Sequence, residues 1–244
     1  GIGRATALAF ARHGARLSLL ARSQDRLDRL AEECGRQGAP SVSVFATDLE
    51  DRPATKAAVD RLLDSCGPAN ILVNNSGGPP GGPLLEATDE DFLKAFRRHV
   101  LASHYLVQRL LPGMVEAGWG RIINIISTSV KEPIPGLGVS NTIRGAMASW
   151  AKTLAKELPP GITINNVLPG FTDTDRLTEL KGAISARLGI SEKQVEQGWL
   201  ATVPEARLGT PDELAAALLF LASPAAAFVR GQSLAVDGGR ISSI

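Results

Sequence analysis

The fold is decided by one short stretch, residues 70–78, which reads NILVNNSGG. Ile71, Leu72 and Val73 form a short apolar run, which is typical of a strand buried on both faces. The asparagines and glycines that follow are typical of a loop at the carboxyl end of such a strand. A strand of this kind belongs in a parallel sheet that is covered by helices on both sides.

The rest of the chain repeats the pattern, because short apolar runs alternate with longer amphipathic ones. Further strands are predicted at residues 17–21, 42–46, 121–126, 162–168 and 233–236. Helices are predicted at about 4–13, 24–37, 53–66, 88–118 and 139–158, and a last large helix begins at Thr210. This alternation predicts an α/β fold with a Rossmann-type, doubly wound parallel sheet, formed by residues 1–244 as a single domain.

The chain opens in the middle of a strand-to-helix turn, Gly1-Ile2-Gly3. We expect a first strand to precede it, so that the numbered sequence lacks about 10–20 native residues. The bare backbone amides of Gly1 and Gly3, together with the dipole of the following helix, suit a pyrophosphate. A GxG sequence by itself is also found in ordinary tight turns.

Composition excludes several classes of function. The net charge is +1, and hydrophobic and charged residues make up 44% and 21% of the chain, as in an ordinary soluble protein. The sequence contains no block of like charges that would indicate binding to nucleic acid or to a membrane surface. The longest apolar run, 214–222, is too short to span a bilayer. We expect a cytoplasmic protein in which Cys34 and Cys66 are reduced core thiols. The three scattered histidines predict no metal site.

Polar and glycine residues directly follow several predicted strands, at 74–78, at Ser127 and at Pro169-Gly170. Parallel sheets bind ligands outside the carboxyl ends of their strands, so these residues are candidates for one shared site. Cofactor preference can be argued from the second strand, which ends in Ala21-Arg22-Ser23 without a carboxylate. Arg22 and Ser23 can bind a 2′-phosphate, which favours NADP(H) over NAD(H); alternatively, Arg22 is a solvated surface charge.

In this order and spacing, the motifs resemble the short-chain dehydrogenase/reductase family over essentially the whole chain, and most of all its 3-oxoacyl-[acyl-carrier-protein] reductase branch. The matching segments are Gly1-Ile2-Gly3, Asp48-Leu49, Asn74-Asn75-Ser76-Gly77, Asn124-Ile125-Ile126-Ser127, Pro169-Gly170-Phe171-Thr172-Asp173-Thr174 and Val236-Asp237-Gly238-Gly239. The resemblance implies that the cofactor contacts Gly1, Ile2, Gly3, Asp48, Leu49, Asn74, Ser76, Gly77, Pro169, Gly170, Phe171, Thr172 and Thr174.

The match fails at the catalytic residues of the family, which are Asn, Ser, Tyr and Lys. The family's tyrosine lies 13 residues after its serine and the lysine four residues later, which puts Ser140 and Arg144 in their places. The family's asparagine position is taken by His99, so only Ser127 is retained. A serine hydroxyl lacks the acidity of a phenol, and Arg144 stays charged; it can bond ribose hydroxyls but not relay protons as a lysine does.

His99 is the candidate that could relay or supply a proton, because histidine titrates near neutral pH. The alternative is a buried histidine that only fills the asparagine's place. Residues 175–201 fit the family's substrate lid, and their apolar side chains suit a hydrophobic or acyl substrate, although they would equally pack on the core. The Gly/Pro-rich loop 77–83 is interpreted as one wall of the site.

Two functions therefore remain open. The first is an NADP(H)-dependent oxidoreductase of a carbonyl or alcohol, in which Ser127 polarises the carbonyl and His99 or a water handles the proton. The second is a catalytically inactive dinucleotide-binding protein that acts as a sensor or a partner subunit. The resemblance also implies a homodimer or homotetramer, formed through the last two large helices and the C-terminal strand.

Overall fold

All six predicted strands are present in the computed structural model, which describes residues 1–243. The strands are β1 (Leu17–Ala21), β2 (Val42–Ala46), β3 (Ile71–Asn74), β4 (Gly120–Ile125), β5 (Ile162–Pro169) and β6 (Ser233–Val236). The helices are α1 (Ile2–Arg12), α2 (Gln24–Arg36), α3 (Arg52–Cys66), α4 (Asp89–Phe96), α5 (Ala102–Glu116), α6 (Gly138–Glu157), α7 (Asp175–Leu188), α8 (Glu192–Leu200) and α9 (Pro211–Ala222).

Every strand pairing within the described residues is parallel, which confirms the predicted fold class. β1 pairs with β2, and β3, β4, β5 and β6 follow one another in a four-stranded sheet. The strand expected before Gly1 lies outside the described residues. Because β3 and β4 pair Asn74 with Asn124, and β4 and β5 pair Asn124 with Asn166, the carboxyl ends of these strands lie at one edge.

The core lies on both faces of the central strands. Ile122 and Ile164 pack with residues of α5 and α6 on one face, whereas Ile123 and Val167 pack with α9 on the other. These four side chains are fully buried. Side chains alternate between the faces of a strand, so near-continuous apolar runs are needed to fill both layers. Each such side chain contributes about 1.5–3 kcal/mol through burial.

Local signals start the helices where the sequence predicts them. The backbone N–H of Thr88 donates to Asp91 Oδ2 at 2.9 Å, and the N–H of Asp91 donates to Thr88 Oγ1, which completes the predicted capping box. α9 begins with Pro211 in its first turn and has the same box between Thr210 and Glu213. Ser23 occupies the N-cap position of α2, but its hydroxyl caps no backbone N–H.

Two expectations need correction. The single helix predicted at 88–118 is divided by a π-helical turn, Arg97–Leu101, which separates α4 from α5. Such a turn adds a residue to the helical ladder without needing a glycine or proline, so it leaves no strong sequence signal. Cys34 is buried as expected, but Cys66 is only half-buried because it ends α3 at the sheet's margin. Among residues 1–243, no helix has the length and apolar character needed to cross a membrane.

Candidate active site

A row of buried amide side chains crosses the sheet just before its carboxyl edge. Asn74 Nδ2 donates to Asn124 Oδ1 at 2.8 Å, and Asn124 Nδ2 donates to Asn166 Oδ1 at 2.9 Å. Asn166 Nδ2 then donates to Ser233 Oγ at 3.1 Å, so the row links β3, β4, β5 and β6. The row fixes the register of the neighbouring strands, because a shift of one strand along its axis would leave buried amides unpaired.

Ser127 stands two residues beyond the end of β4. Its backbone is extended, with φ −170° and ψ 152°, and its Oγ accepts a hydrogen bond from the backbone N–H of Ser129 at 3.0 Å. The residue is half-buried, so its hydroxyl hydrogen remains able to reach a ligand. The short 3₁₀ turn that follows, Thr128–Val130, holds it at the edge of the sheet.

Arg144 lies on α6 with its guanidinium buried against the same edge. Its Nη1 donates to the carbonyl of Ile125 at 3.0 Å, and its Nη2 donates to the carbonyl of Ser76 at 3.4 Å. The side chain therefore bridges the ends of β4 and β3. Its Nε is buried without a hydrogen-bond partner among the described residues. Burial lowers the pKa of Arg144 to about 10, which still leaves it charged at neutral pH.

His99 lies in the π-helical turn, only 2% exposed. Its Nδ1 is 2.9 Å from Ser76 Oγ, and its Nε2 is buried without a partner among the described residues. Burial, then the charges of Arg144 and Arg98, lower the pKa of His99 to about 3. The expectation that His99 titrates near neutral pH is therefore wrong. The ring is neutral at physiological pH and cannot act there as an imidazolium acid.

The low pKa of His99 has a consequence for stability. Between about pH 3 and pH 6.5 the unfolded imidazole binds a proton that the folded one does not. We therefore expect the free energy of unfolding to fall by about 1.4 kcal/mol per pH unit from this group as the pH is lowered through that range. The measurement is urea unfolding between pH 4 and 7.

The matched variants are His99→Asn, which should remove this part of the slope, and His104→Asn on the exposed side of α5, which should keep it. An equal slope in the wild type and His99→Asn would show that His99 is not the group responsible.

Ser140 stands one helical turn before Arg144 on α6, and the two residues share a helix face. It is half-buried, whereas Arg144 is buried. The resemblance predicts this position for the family's tyrosine, and the residue here carries a small hydroxyl.

The residues predicted to hold a dinucleotide lie near strand ends or at the start of α1. Gly1 occupies the N-cap position of α1, and no side chain caps this helix start. At Gly3 a Cβ atom would lie 2.6 Å from Asn75 Nδ2, so the loop after β3 requires a glycine there. Arg22, just after β1, is exposed and forms no ion pair with another described residue.

Asp48 and Leu49 are half-buried after β2. Asp48 Oδ1 accepts a hydrogen bond from the backbone N–H of Glu50 at 3.0 Å, and its carbonyl accepts one from Thr55 Oγ1 at 3.1 Å. These bonds hold the turn into α3. Leu49, Glu50 and Thr55 border a surface cleft of about 380 Å³ together with Arg97 and Leu101 of the π-helical turn.

The loop after β5 is held by hydrogen bonds within itself and by backbone hydrogen bonds to Gly209 and Val236. Thr172 is buried and its Oγ1 donates to the carbonyl of Gly170 at 3.2 Å. Thr174 Oγ1 accepts from the backbone N–H of Leu177 and caps α7, so its hydroxyl has a structural task already. Phe171 stacks on Trp199 of α8, with ring centroids 5.0 Å apart. The loop is thereby tied to the predicted lid.

The predicted lid consists of α7 and α8. Of its apolar side chains only Val195 is buried, whereas Leu188 is 57% exposed. These side chains therefore do not simply complete the core. Arg176 of α7 donates from Nη2 to the carbonyl of Pro79 at 2.9 Å, and the N–H of Gly82 donates to the carbonyl of Gly136. The loop 77–83 is thus held between the lid and the segment before α6.

Sequence reasoning missed three features of the site. The amide row was visible only as isolated asparagines in apolar strands; comparing the ends of the predicted strands would have suggested their pairing. The contact between Ser76 and His99 joins two residues that each depart from the family pattern. Arg240, after β6, lies over the Phe171 ring at 4.9 Å and donates to Thr128 Oγ1, which no motif predicts.

Comparison with known proteins gives consistent matches over the full chain. The family described as Enoyl-(Acyl carrier protein) reductase matches residues 1–240. The 3-oxoacyl-[acyl-carrier-protein] reductase FabG of Vibrio harveyi is 32% identical over 98% of this chain and 92% of that protein. The NADPH-dependent reductase BacG of Bacillus subtilis is 29% identical over 100% of this chain and 95% of that protein.

Among solved structures, L-sorbose reductase from Gluconobacter frateurii, complexed with NADPH and L-sorbose, superposes with a TM-score of 0.93. It is 31% identical and covers 100% of this chain and 94% of that chain. The parallel sheet, the glycine turn, the serine after β4 and the full-length matches together show that this chain belongs to the short-chain dehydrogenase/reductase family of oxidoreductases.

Proposed function

We propose that this protein is an NADP(H)-dependent reductase that converts a carbonyl group to an alcohol with a rearranged catalytic set. The observation that carries the proposal is the position of Arg144, whose guanidinium bridges the carbonyls of Ile125 and Ser76. It places a permanent positive charge between the ends of β3 and β4, and the Ile125 carbonyl that it binds lies two residues before Ser127. The likeness to BacG and to the NADPH complex of L-sorbose reductase supports the choice of cofactor.

The residues present fit a dinucleotide. The backbone N–H groups at the start of α1, at Gly1 and Gly3, suit a pyrophosphate, and Arg22 is an exposed cation just after β1 that suits a 2′-phosphate. Arg144 Nε is a buried donor without a protein partner among the described residues, as expected of a group that bonds a ligand hydroxyl. The further cofactor contacts in this proposal are Ile2, Gly3, Ser23, Asp48, Leu49, Asn74, Ser76, Gly77, Pro169, Gly170, Phe171, Thr172 and Thr174.

NADPH supplies a hydride to the carbonyl carbon when it is bound, and the carbonyl oxygen must then gain a proton. Ser127 donates its hydroxyl hydrogen to that oxygen and polarises the bond. The charge of Arg144 stabilises the negative charge that develops on the oxygen. Ser140 contributes no acid, because an aliphatic hydroxyl does not ionise in this range.

The proton comes from water in this proposal. His99 is neutral and buried, so it accepts a hydrogen bond and orients a donor rather than titrating itself. The positive charge of Arg144 favours loss of a proton from a nearby water, and the hydroxide that remains regains a proton from bulk solvent. A route of this kind is slower than one with a dedicated phenol, since general acid help typically contributes a factor of about 10²–10⁴.

The substrate class is proposed from the lid, residues 175–201. Its half-exposed apolar side chains, such as Leu177 and Leu180 of α7, offer a hydrophobic surface above the strand ends. A hydrophobic or acyl carbonyl compound fits such a surface better than a strongly charged one. The loop 77–83, whose Pro79 carbonyl binds Arg176 of the lid, forms a neighbouring wall, and its prolines limit the freedom that its glycines would give.

The proposal includes a homodimer or homotetramer. Phe220 of α9 is 47% exposed, Leu234 of β6 is 39% exposed, and Phe228 between them is fully exposed. Large apolar side chains of this kind favour association when they share one face. They belong to the last large helix, the C-terminal strand and the segment that joins them.

Cofactor preference is tested by Arg22→Glu. A charge-assisted hydrogen bond to a phosphate is worth about 1.5–3 kcal/mol, so kcat/KM with NADPH is expected to fall by roughly 10- to 100-fold while kcat/KM with NADH does not fall. Arg29→Glu, an equally exposed charge reversal on α2, should change neither value. Equal losses with NADPH and NADH in Arg22→Glu would refute the role of Arg22 in recognising the 2′-phosphate.

A further inference from the structure

Three segments that are distant in the chain meet around the Phe171 ring. Phe171 lies in the loop after β5, and Trp199 of the lid helix α8 stacks on it, with ring centroids 5.0 Å and ring planes 15° apart. The guanidinium carbon of Arg240, which follows β6, lies 4.9 Å from the centroid of the same phenyl ring. Both distances are favourable for aromatic and cation–π contacts. The ring therefore links the lid to the C-terminal segment.

Arg240 also contacts the turn that carries Ser127. Its Nη1 donates to Thr128 Oγ1 at 3.2 Å, and Thr128, the residue directly after Ser127, is buried. The N–H groups of a guanidinium point outward in its plane while its face stacks on a ring, so one arginine can make both contacts. Arg240 Nε is buried without a hydrogen-bond partner among the described residues, and removal from water strengthens a cation–π contact.

The backbone around Arg240 is fixed by the residues on either side. The Asp237 carboxylate accepts hydrogen bonds from the backbone N–H groups of Gly239 and Ile241, at 3.1 and 2.9 Å. At Gly170, in the loop after β5, a Cβ atom would lie 2.7 Å from Asp237 Cα, so this loop lies directly against the C-terminal turn. The arginine and the loop after β5 therefore share one rigid base.

We propose that Arg240 is a positioning residue that couples the lid, through Phe171, to the turn carrying Ser127. This inference rests on the proposed reductase function, in which the Ser127 hydroxyl polarises the carbonyl. When α8 packs on Phe171, the ring holds the guanidinium in place, and the guanidinium holds the Thr128 side chain in the turn. The placement of the lid and the alignment of the serine hydroxyl thereby depend on each other.

The test is hydrogen–deuterium exchange of the full-length protein without ligand, followed in peptides from the lid and from the Ser127 turn. The backbone N–H groups of residues 129–132 all donate within that turn, so their exchange reports its stability. We expect Arg240→Ala to speed exchange in both segments by roughly 3- to 10-fold, the effect of losing one cation–π contact. Exchange in β4 should not change, whereas unfolding of the variant would speed it there as well.

Two further variants separate coupling from a local packing defect. Arg240→Lys keeps the charge and a donor for Thr128, so its exchange should stay closer to the wild type than that of Arg240→Ala. Trp199→Ala changes only the lid, yet it should also speed exchange in the Ser127 turn. In the double variant Arg240→Ala/Trp199→Ala, exchange in the turn should be no faster than in the faster single variant, because both substitutions break the same chain of contacts.

The control is Arg52→Ala. It removes a cation–π contact of similar length, 4.3 Å to the centroid of the Tyr105 ring, at the surface between α3 and α5. This variant should change exchange neither in the lid nor in the Ser127 turn.

The kinetic effect should follow the exchange. With a hydrophobic ketone as substrate, kcat of Arg240→Ala should fall by roughly 3- to 10-fold, since the Ser127 turn is less often aligned, while the KM for NADPH stays within about twofold. Arg240→Lys should recover part of the loss.

Unchanged exchange in the Ser127 turn of Trp199→Ala, or effects of the two alanine substitutions that simply add in the double variant, would overturn this inference. The exchange measurement needs no turnover. A wild type that consumes no NADPH but shows the coupled exchange would therefore refute the proposed function and not the coupling.

Discussion

Ser127→Ala is expected to lower kcat and kcat/KM of the wild-type reaction by about 10²–10³-fold, the cost of removing one donor to a developing oxyanion. Ser127 stands two residues beyond β4 and beside the carbonyl of Ile125, to which Arg144 is bonded. The hydroxyl bonds the carbonyl oxygen more strongly as negative charge grows, so its loss affects the transition state more than substrate binding. The measurement is steady-state NADPH oxidation at saturating cofactor.

The matched control is Ser129→Ala in the same 3₁₀ turn. Ser129 is buried, its hydroxyl has no partner among the described residues, and its backbone N–H bonds to Ser127 Oγ. Ser129→Ala removes the same kind of hydroxyl as Ser127→Ala, two residues further along the chain. We expect its kcat to stay within about twofold of the wild-type value. A loss in Ser129→Ala as large as that in Ser127→Ala would assign the effect to the turn rather than to the Ser127 hydroxyl.

The largest effect on stability is expected from Asn124→Leu, at the centre of the amide row. Asn124 accepts from Asn74 and donates to Asn166, and all three are buried. Leucine would leave a buried donor and a buried acceptor unpaired, and each such group costs about 1–3 kcal/mol. We therefore expect a loss of about 3 kcal/mol in the free energy of unfolding, measured by urea denaturation.

The control is a substitution at the end of the amide row, where fewer hydrogen bonds are lost than at its centre. Ser233 ends the row on β6 and accepts only one hydrogen bond within it, from Asn166. Ser233→Ala should cost about 1 kcal/mol, because one partner is lost at a half-buried end. If the two variants lost equal stability, the row would not act as a connected network, and the alignment of the strand ends would need another cause.

The strands and the strand-end residues could be predicted because their cause is local. An apolar run such as 71–73 fills both faces of a sheet, and a polar turn must follow where the strand leaves the core. Parallel pairing then places Ser76, Ser127 and Gly170 at one edge whatever the detailed packing. The assignment of Ser140 and Arg144 to the family's tyrosine and lysine positions rests on the resemblance to the family and stays a prediction.

The electrostatic state of His99 could not be predicted in this way. Its pKa depends first on burial and then on the charge of Arg144, which lies on a different helix. The π-helical turn that contains His99 has no glycine or proline that would predict it from the sequence. Its partner Ser76 comes from the loop after β3. These features arise from tertiary contacts, which single-sequence patterns do not record.

The most direct test of the account is whether the wild-type protein reduces a carbonyl compound with NADPH while lacking the family's tyrosine and lysine. NADPH oxidation and alcohol formation are measured together over a panel of hydrophobic and acyl ketones, for the wild type and for Ser140→Tyr/Arg144→Lys. The account predicts that the wild type turns over, with one alcohol formed for each NADPH consumed. Tight NADPH binding by a wild type that forms no alcohol, with turnover only in the double variant, would contradict it.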